Sequence, residues 1–376
     1  MTSGIALNAI LFTPKLGGMG VYLKNLINGL KQHDHAWDAY VFAAREMVPL
    51  LEHENANFVP IDFFDKHPLK RVIKEMFGWP KVLNGKDISL FHSPGEYIPL
   101  GIEVPAIVTA HDLRFAHFPK TYTKLRAAFL NSRVPHSLGQ ARAIIAVSEF
   151  TKTDMCQLYG IDPAKIHVIH EGIDAHYFQQ KHHSPEQVLK RYALMTPYIL
   201  AVGHLEPRKN YIRLIKALKI LRDEKTIDHK LLIVGQENWY FEEIYNSVHT
   251  LDMDDRVIFS GFVPENDLPS LYQNADLFVA PSTFEGFGFT PLEAMAADVP
   301  VCVSNITSHP EICGAAAAYF DPFEIDDIAR AIYHVLSDTN TRQNLVEKGR
   351  QNVKRFTWRE CCEKTFNLYD KILNDL

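Results

Sequence analysis

Tyr198-Ile199-Leu200-Ala201-Val202-Gly203-His204-Leu205-Glu206-Pro207-Arg208-Lys209-Asn210-Tyr211 decides how the rest of the chain is read. Five apolar residues in a row, with no alternation, predict a strand buried on both faces. The glycine that ends them permits a sharp exit of the backbone. Apolar residues then return at helical spacing over 211–222, behind an asparagine of the kind that caps helices. Strand, polar turn and amphipathic helix make one βα unit.

The unit recurs. Strands are expected at 5–11, 88–92, 106–110, 143–147 and 166–170 in the first half, and at 198–202, 230–234, 257–260, 277–280 and 300–303 in the second. The stretch 180–197, with Lys181, His182, His183, Ser184 and Pro185, reads as an interdomain linker. The 376 residues therefore predict an α/β protein of two Rossmann-like domains, residues 1–185 and 195–356. Ligands of such open sheets bind at the carboxyl ends of the strands, so the loops there are where chemistry is sought.

Composition narrows the function classes. With 47% hydrophobic and 22% charged residues the chain is neither a disordered nor a disulfide-framed protein. A net charge of −6 is too acidic for a protein that coats nucleic acid. The halves differ, however: 1–185 is net +2 and 186–376 net −8. Five cysteines without metal-site spacing read as reduced thiols. Neither a secretory leader nor a run of about 18 apolar residues is seen, so a cytoplasmic location is expected.

Four constellations could carry chemistry. Gly17-Gly18-Met19-Gly20 opens a helical pattern, where backbone N–H groups can approach an anion, although a plain flexible turn explains it equally. His111-Asp112 follows the strand at 106–110 and could meet a ligand hydroxyl through a neutral imidazole, or serve as a local turn. Arg208 and Lys209 put two cations at a strand end, suited to a diphosphate whose leaving oxygen gains charge, or remain solvated. Glu285-Gly286-Phe287-Gly288-Phe289-Thr290-Pro291-Leu292-Glu293 spaces two carboxylates across a glycine-rich loop, and carboxylates accept from sugar or ribose hydroxyls. For Glu293 there is a competing explanation, a capping box with Thr290 as N-cap and Pro291 at the first helical position.

Glu285 to Glu293, with Pro281-Ser282 before and Ala294-Met295-Ala296 after, resembles the E-x7-E signature of retaining glycosyltransferases of family GT4. The resemblance is strongest over 198–322 and continues from the first glycine turn through Val168-Ile169-His170-Glu171-Gly172-Ile173-Asp174. It implies a GT-B fold, two Rossmann-like domains facing each other across a cleft, with a last helix at about 357–376 returning to the first domain. It further implies that Glu285 holds hydroxyls of a donor sugar and Glu293 the ribose, with Gly286, Phe287, Gly288 and Phe289 lining the site. Arg208 and Lys209 would hold the diphosphate, Gly17 and Gly18 would face the phosphates, Val263 would lie near the base, and His111 would touch the transferred sugar. No cofactor and no metal are expected. Asp298 departs from the glycine that relatives usually carry, and His204 from an arginine.

His111-Asp112-Leu113-Arg114-Phe115 with His117-Phe118-Pro119 resembles bacterial surface-polysaccharide transferases of the O-antigen type, many of which use GDP-mannose. The expected partners are a nucleotide-sugar donor and a glycan or lipid-linked acceptor. Two basic stretches, 66–86 with Met76, Phe77 and Trp79 interleaved and 114–142 without an acid, could dock peripherally on an anionic membrane at the inner face. Solvated helix faces would look the same. A nucleotide-sugar epimerase on the same fold and a non-catalytic sugar-nucleotide-binding protein are the alternatives. A dehydrogenase is disfavoured because neither first turn carries Gly-x-Gly-x-x-Gly.

Overall fold

A computed structural model describes residues 3–10, 12, 17–62, 68–180, 184–194, 197–224 and 227–376, with the side chains of 68–72 outside that description. The chain divides into two compact units, Met1–Gly172 with Thr357–Leu376, and Ile173–Phe356. Each is built on a parallel sheet.

In the first unit the strands are β1 (Gly4–Asn8), β2 (Asp38–Ala44), β3 (Asn57–Ile61), β4 (Ile88–Ser93), β5 (Ala106–Ala110), β6 (Ala143–Ala146) and β7 (Ile166–Val168), in spatial order β3-β2-β1-β4-β5-β6-β7. The continuous apolar runs are explained by burial on both faces. Ile5, Leu7, Val41, Ile107 and Ile145 pack with Tyr22 and Leu26 of the helix Gly18–Gly29. Their neighbours Ala6, Phe42, Val108 and Ile144 point the other way, toward Trp79 and Val134. Each fully buried large aliphatic side chain contributes about 1.5–3 kcal/mol.

The second unit holds β8 (Tyr198–Val202), β9 (Lys230–Val234), β10 (Val257–Gly261), β11 (Leu277–Ala280), β12 (Val301–Ser304) and β13 (Ala318–Phe320), in order β10-β9-β8-β11-β12-β13. Leu214, Ile215 and Leu218 of the helix Tyr211–Asp223 pack with Ile199 and Ala201. In both sheets the order reverses beside the first strand, between β1 and β4 and between β8 and β11. Such reversals leave a crevice at the strand ends.

Several expectations need correction. β2, β3 and β13 were not foreseen; β3 is an edge strand, which is why Pro60 is tolerated in it. The strand expected at 5–11 ends at Asn8, and Leu11 lies outside the described residues, as do Lys66 and Lys181 to His183. The division between units falls at Gly172 and Ile173, earlier than the supposed linker. The helices Ala175–Gln179 and Pro185–Arg191 belong to the second unit, where Phe178 meets Tyr272 edge-on and Arg191 pairs with Asp267. Gly172 has no room for a Cβ, which would sit 2.2 Å from Trp358 N.

The helix Trp358–Asn374 is part of the first unit's core through Cys361, Cys362, Phe366 and Tyr369. Gly29 lets it approach the helix Gly18–Gly29, since a Cβ there would lie 2.5 Å from Cys362 Sγ. Met76 and Trp79, thought to accompany a basic docking face, are also core residues, at 5% and 0% exposure. Phe77 and Ile73 do reach the surface. Among the described residues no helix is long and apolar enough to cross a membrane.

Candidate active site

The reversal beside β8 brings together the two loops that the sequence singled out. Pro207–Lys209, after β8, form one 3-10 turn, and Glu285 lies in the loop after β11. Arg208 Nη1 pairs with Glu285 Oε2 at 2.7 Å and donates to the Phe284 carbonyl at 2.7 Å. Lys209 Nζ pairs with Glu285 Oε1 at 2.7 Å. One carboxylate thus bridges two cations. Burial alone would raise the Glu285 pKa, but the charges of Arg208 and Lys209 outweigh it and hold the group well below the usual carboxylate range. The solvated-cation alternative fails, because the two basic side chains are only 10% and 12% exposed.

Glu206 completes the cluster and was not foreseen. Its Oε1 accepts from Arg208 Nε at 2.9 Å and its Oε2 from Asn238 Nδ2 at 2.9 Å. Two carboxylates therefore balance two cations in a buried setting, where an unpaired charge would be costly. Asn210 does not cap the following helix through its side chain. It adopts φ +59°, and its Nδ2 donates to the carbonyls of Pro281 and Pro322 at 3.0 and 2.7 Å, tying the two loops together.

The glycine-rich loop enters the helix Phe289–Ala296 from Gly288, whose φ of +102° favours glycine. Thr290 lies inside that helix and no side chain caps it, so the capping box does not form. Glu293 Oε2 instead accepts from Tyr272 Oη at 2.6 Å, and burial raises its pKa. Phe287 meets Phe289 edge-on with centroids 5.2 Å apart. Ser308 Oγ lies 2.7 Å from the Phe287 carbonyl and 3.1 Å from that of Glu285, and Thr307 Oγ1 accepts from Glu285 N at 3.3 Å. This support comes from the segment after β12, which the sequence reading passed over. Gly286 sits within the same loop, and Val263 is buried shortly after β10.

In the first unit His111 stands at the end of β5 with both ring nitrogens engaged. Nδ1 lies 3.1 Å from Glu171 Oε1 and Nε2 3.0 Å from the Pro94 carbonyl. Both partners accept, so both nitrogens carry hydrogen and the ring is an imidazolium. Burial pulls its pKa down, yet the hydrogen bond and charge of Glu171 outweigh that and raise it to about 9. The neutral imidazole expected from sequence is thereby corrected. Asp112 Oδ1 accepts from Arg114 N at 2.9 Å, the local-turn role. Gly17, at the N-cap of the helix Gly18–Gly29, has φ −82°, and a Cβ there would meet none of the described residues within 4 Å. Neither it nor Gly18 has positive φ. Backbone strain therefore gives no reason for glycine at either position.

The triplet Asp252-Met253-Asp254 precedes β10, at the opposite end of the sheet from these loops, with Asp254 beside His249. Among the described residues no group of three or more His, Cys, Asp or Glu could hold a metal ion.

Comparison with known proteins decides the family. Residues 190–352 match the model for glycosyl transferases group 1, and residues 16–177 that for Glycosyltransferase Family 4. The chain is 32% identical over 281 residues to O-antigen chain mannosyltransferase B of Escherichia coli, covering 74% of each protein. The chain belongs to glycosyltransferase family 4. This glycosyltransferase is also 25% identical to mannosylfructose-phosphate synthase of Agrobacterium fabrum, over 91% of its own length and 84% of that protein. Sucrose-phosphate synthase from Thermosynechococcus elongatus shares the fold, with TM-score 0.79, 19% identity and 100% of both chains covered. The glycosyltransferase thus has the two-domain GT-B architecture of parallel-sheet α/β units.

Proposed function

We propose that the protein transfers a hexose, mannose from GDP-mannose, to a glycan or lipid-linked acceptor in cell-surface polysaccharide biosynthesis, with retention at the anomeric carbon. The observation that carries this reading is the buried Arg208, Lys209 and Glu285 cluster at the reversal of the second sheet. The choice of mannose draws on relatives named as mannosyltransferases, among them O-antigen chain mannosyltransferase RfbU of Salmonella typhimurium, 30% identical over 239 residues.

On this reading Arg208 and Lys209 take the diphosphate, whose charge grows as the bond from C1 to the phosphate oxygen breaks. Glu285 takes sugar hydroxyls, Glu293 the ribose, and Gly286 to Phe289 with Val263 form the wall of the donor site. The acceptor oxygen bonds to C1 on the face the phosphate leaves, and its proton passes to a phosphate oxygen. The fixed cations supply what a divalent ion would otherwise supply, so the rate is expected to be insensitive to EDTA. Gly17, Gly18 and His111 belong to the other unit, which takes the acceptor. A second element of the proposal is peripheral docking on anionic membrane through Lys74, Lys81, Lys86 and the basic helix Lys124–Gln140.

The test is a panel of nucleotide sugars with polyprenyl-linked and free glycan acceptors, followed by nucleotide release. GDP release that depends on acceptor supports the assignment, and UDP release without GDP rejects mannose. Glu285→Ala abolishes transfer in a folded protein if the protein is an enzyme; a sugar-nucleotide-binding scaffold shows no turnover even before the change.

A further inference from the structure

His309 is a buried polar residue to which none of the roles above gives a task. It opens the short helix His309–Cys313 and is 1% exposed. Its Nδ1 lies 3.1 Å from Ser304 Oγ, and that hydroxyl gives its single proton to the Ser282 carbonyl at 2.5 Å. Ser304 Oγ therefore offers Nδ1 a lone pair, so Nδ1 carries the hydrogen and Nε2 is left as an acceptor. Burial lowers the ring's pKa to about 4, with the charge of Glu285 offsetting part of the effect, and the ring is neutral near pH 7.

Among the described residues Nε2 is buried without a hydrogen-bond partner. A buried acceptor in that condition is an exception that asks for a reason. The ring edge that carries it faces the glycine-rich loop: a methyl on Gly288 would lie 3.3 Å from Cδ2 and 3.6 Å from Nε2. Glycine at 288 thus serves twice, for φ +102° and for the ring behind it. Glu285, Lys209 and Arg208 are the charged groups that His309 feels.

We infer that His309 Nε2 accepts a hydrogen bond from a hydroxyl of the donor sugar, and that His309 reads the sugar and not the nucleotide. This rests on the donor-site assignment of the second unit. The chemistry selects the ligand group. A lone pair on a neutral ring is repelled by phosphate oxygens and needs a donor; ribose hydroxyls and base N–H groups are donors too, but the assignment above places them at Glu293 and Val263, which leaves the hexose hydroxyls taken by Glu285, a group His309 feels directly. A site that satisfies a buried polar group only with the right hydroxyl discriminates strongly against sugars that lack it.

The experiment compares the wild type, His309→Leu and His309→Gln by calorimetric titration with GDP, GDP-mannose, UDP and UDP-glucose, then with single-deoxy forms of whichever sugar nucleotide binds. His309→Leu is expected to weaken the nucleotide sugar about tenfold or more while the nucleotide alone binds as before. His309→Gln, which keeps an acceptor, recovers part of the loss. One single-deoxy donor binds the wild type and His309→Leu equally, and it identifies the hydroxyl. If His309→Leu leaves the ratio of nucleotide-sugar to nucleotide affinity unchanged, the inference is overturned and Nε2 is served by structural water. Should the leucine variant not fold, a wild type indifferent to every single-deoxy form overturns it just as well. A wild type that binds no nucleotide sugar more tightly than its nucleotide overturns the donor-site assignment itself, and the inference with it.

Discussion

Replacing Glu171 by Gln should lower the pKa of His111 and weaken its hold on the second proton. In the wild type the ring is raised from 6.5 to about 9, against the pull of burial, by the hydrogen bond and the charge of Glu171. The amide keeps a hydrogen-bonding oxygen but removes the charge, so burial is then opposed chiefly by the charge of Glu96 and the Pro94 carbonyl, and the ring should titrate well below its wild-type value. At 1.36 kcal/mol per unit, a displacement from 6.5 to about 9 corresponds to about 3 kcal/mol of stability. The sign follows from linkage. A group whose folded pKa is raised contributes fully below the unfolded value near 6.5, and its contribution is lost as pH rises from there through about 9. The assay is a ¹³C-histidine NMR titration of both proteins, assigned with His111→Gln, alongside thermal unfolding at pH 6.5 and 9.5. The wild-type advantage over Glu171→Gln should be largest at pH 6.5 and shrink by pH 9.5. A His111 signal that titrates below 7 in the wild type, or one that Glu171→Gln does not move, refutes the reasoning.

Glu206→Gln leaves Arg208 with one carboxylate fewer in a buried setting, which should cost about 3–5 kcal/mol and appear as a lowered unfolding midpoint of the second unit. Its donor KM should rise with it, because Glu206 holds the guanidinium from the side opposite Glu285 through Nε and Nη2. Gly288→Ala forces an L side chain to φ +102° and pushes on His309, and is expected to cost about 1–3 kcal/mol, measured by thermal unfolding. Acid should weaken the second unit: Glu285 has a depressed folded pKa, so its contribution is present above the ordinary value and is lost as pH falls below it, and Glu285→Gln should flatten that acid limb. Sedimentation with anionic liposomes should fall steeply as salt rises if the basic helices dock on membrane, and salt-independent or absent sedimentation counts against that docking.

What the sequence made legible follows from where each signal is stored. β5, β8, β9 and β11 have the boundaries expected, because a strand buried on both faces needs a nearly continuous apolar run, interrupted here only by Thr109 in β5 and by Lys230 at the start of β9. β2 carries such a run in Tyr40-Val41-Phe42-Ala43-Ala44 behind the polar Asp38; β3 contains Asn57 and Pro60, residues that only an edge position excuses. Arg208, Lys209 and Glu285 were legible for the same local reason: charge and glycine placed just past strand ends announce a site by their position.

Glu206 and His309 were not legible, because their meaning is relational. A glutamate two residues before an arginine says nothing until Asn238 and the Phe284 carbonyl fix where that guanidinium lies. His309 in sequence is a histidine before a proline; only Ser304, whose proton goes to Ser282, fixes which ring nitrogen accepts. The capping-box reading of Glu293 failed in the opposite sense, by trusting a local rule where a longer-range contact decides. Gly288 at φ +102° starts the helix one residue ahead of Thr290, so the threonine falls inside the first turn and cannot serve as cap. Glu293 then takes the Tyr272 hydroxyl from a different helix. A local motif competes with a tertiary partner for each polar side chain. At the mouth of this sheet the tertiary partner prevails, since burial makes an unsatisfied group there costlier than a weak cap is worth.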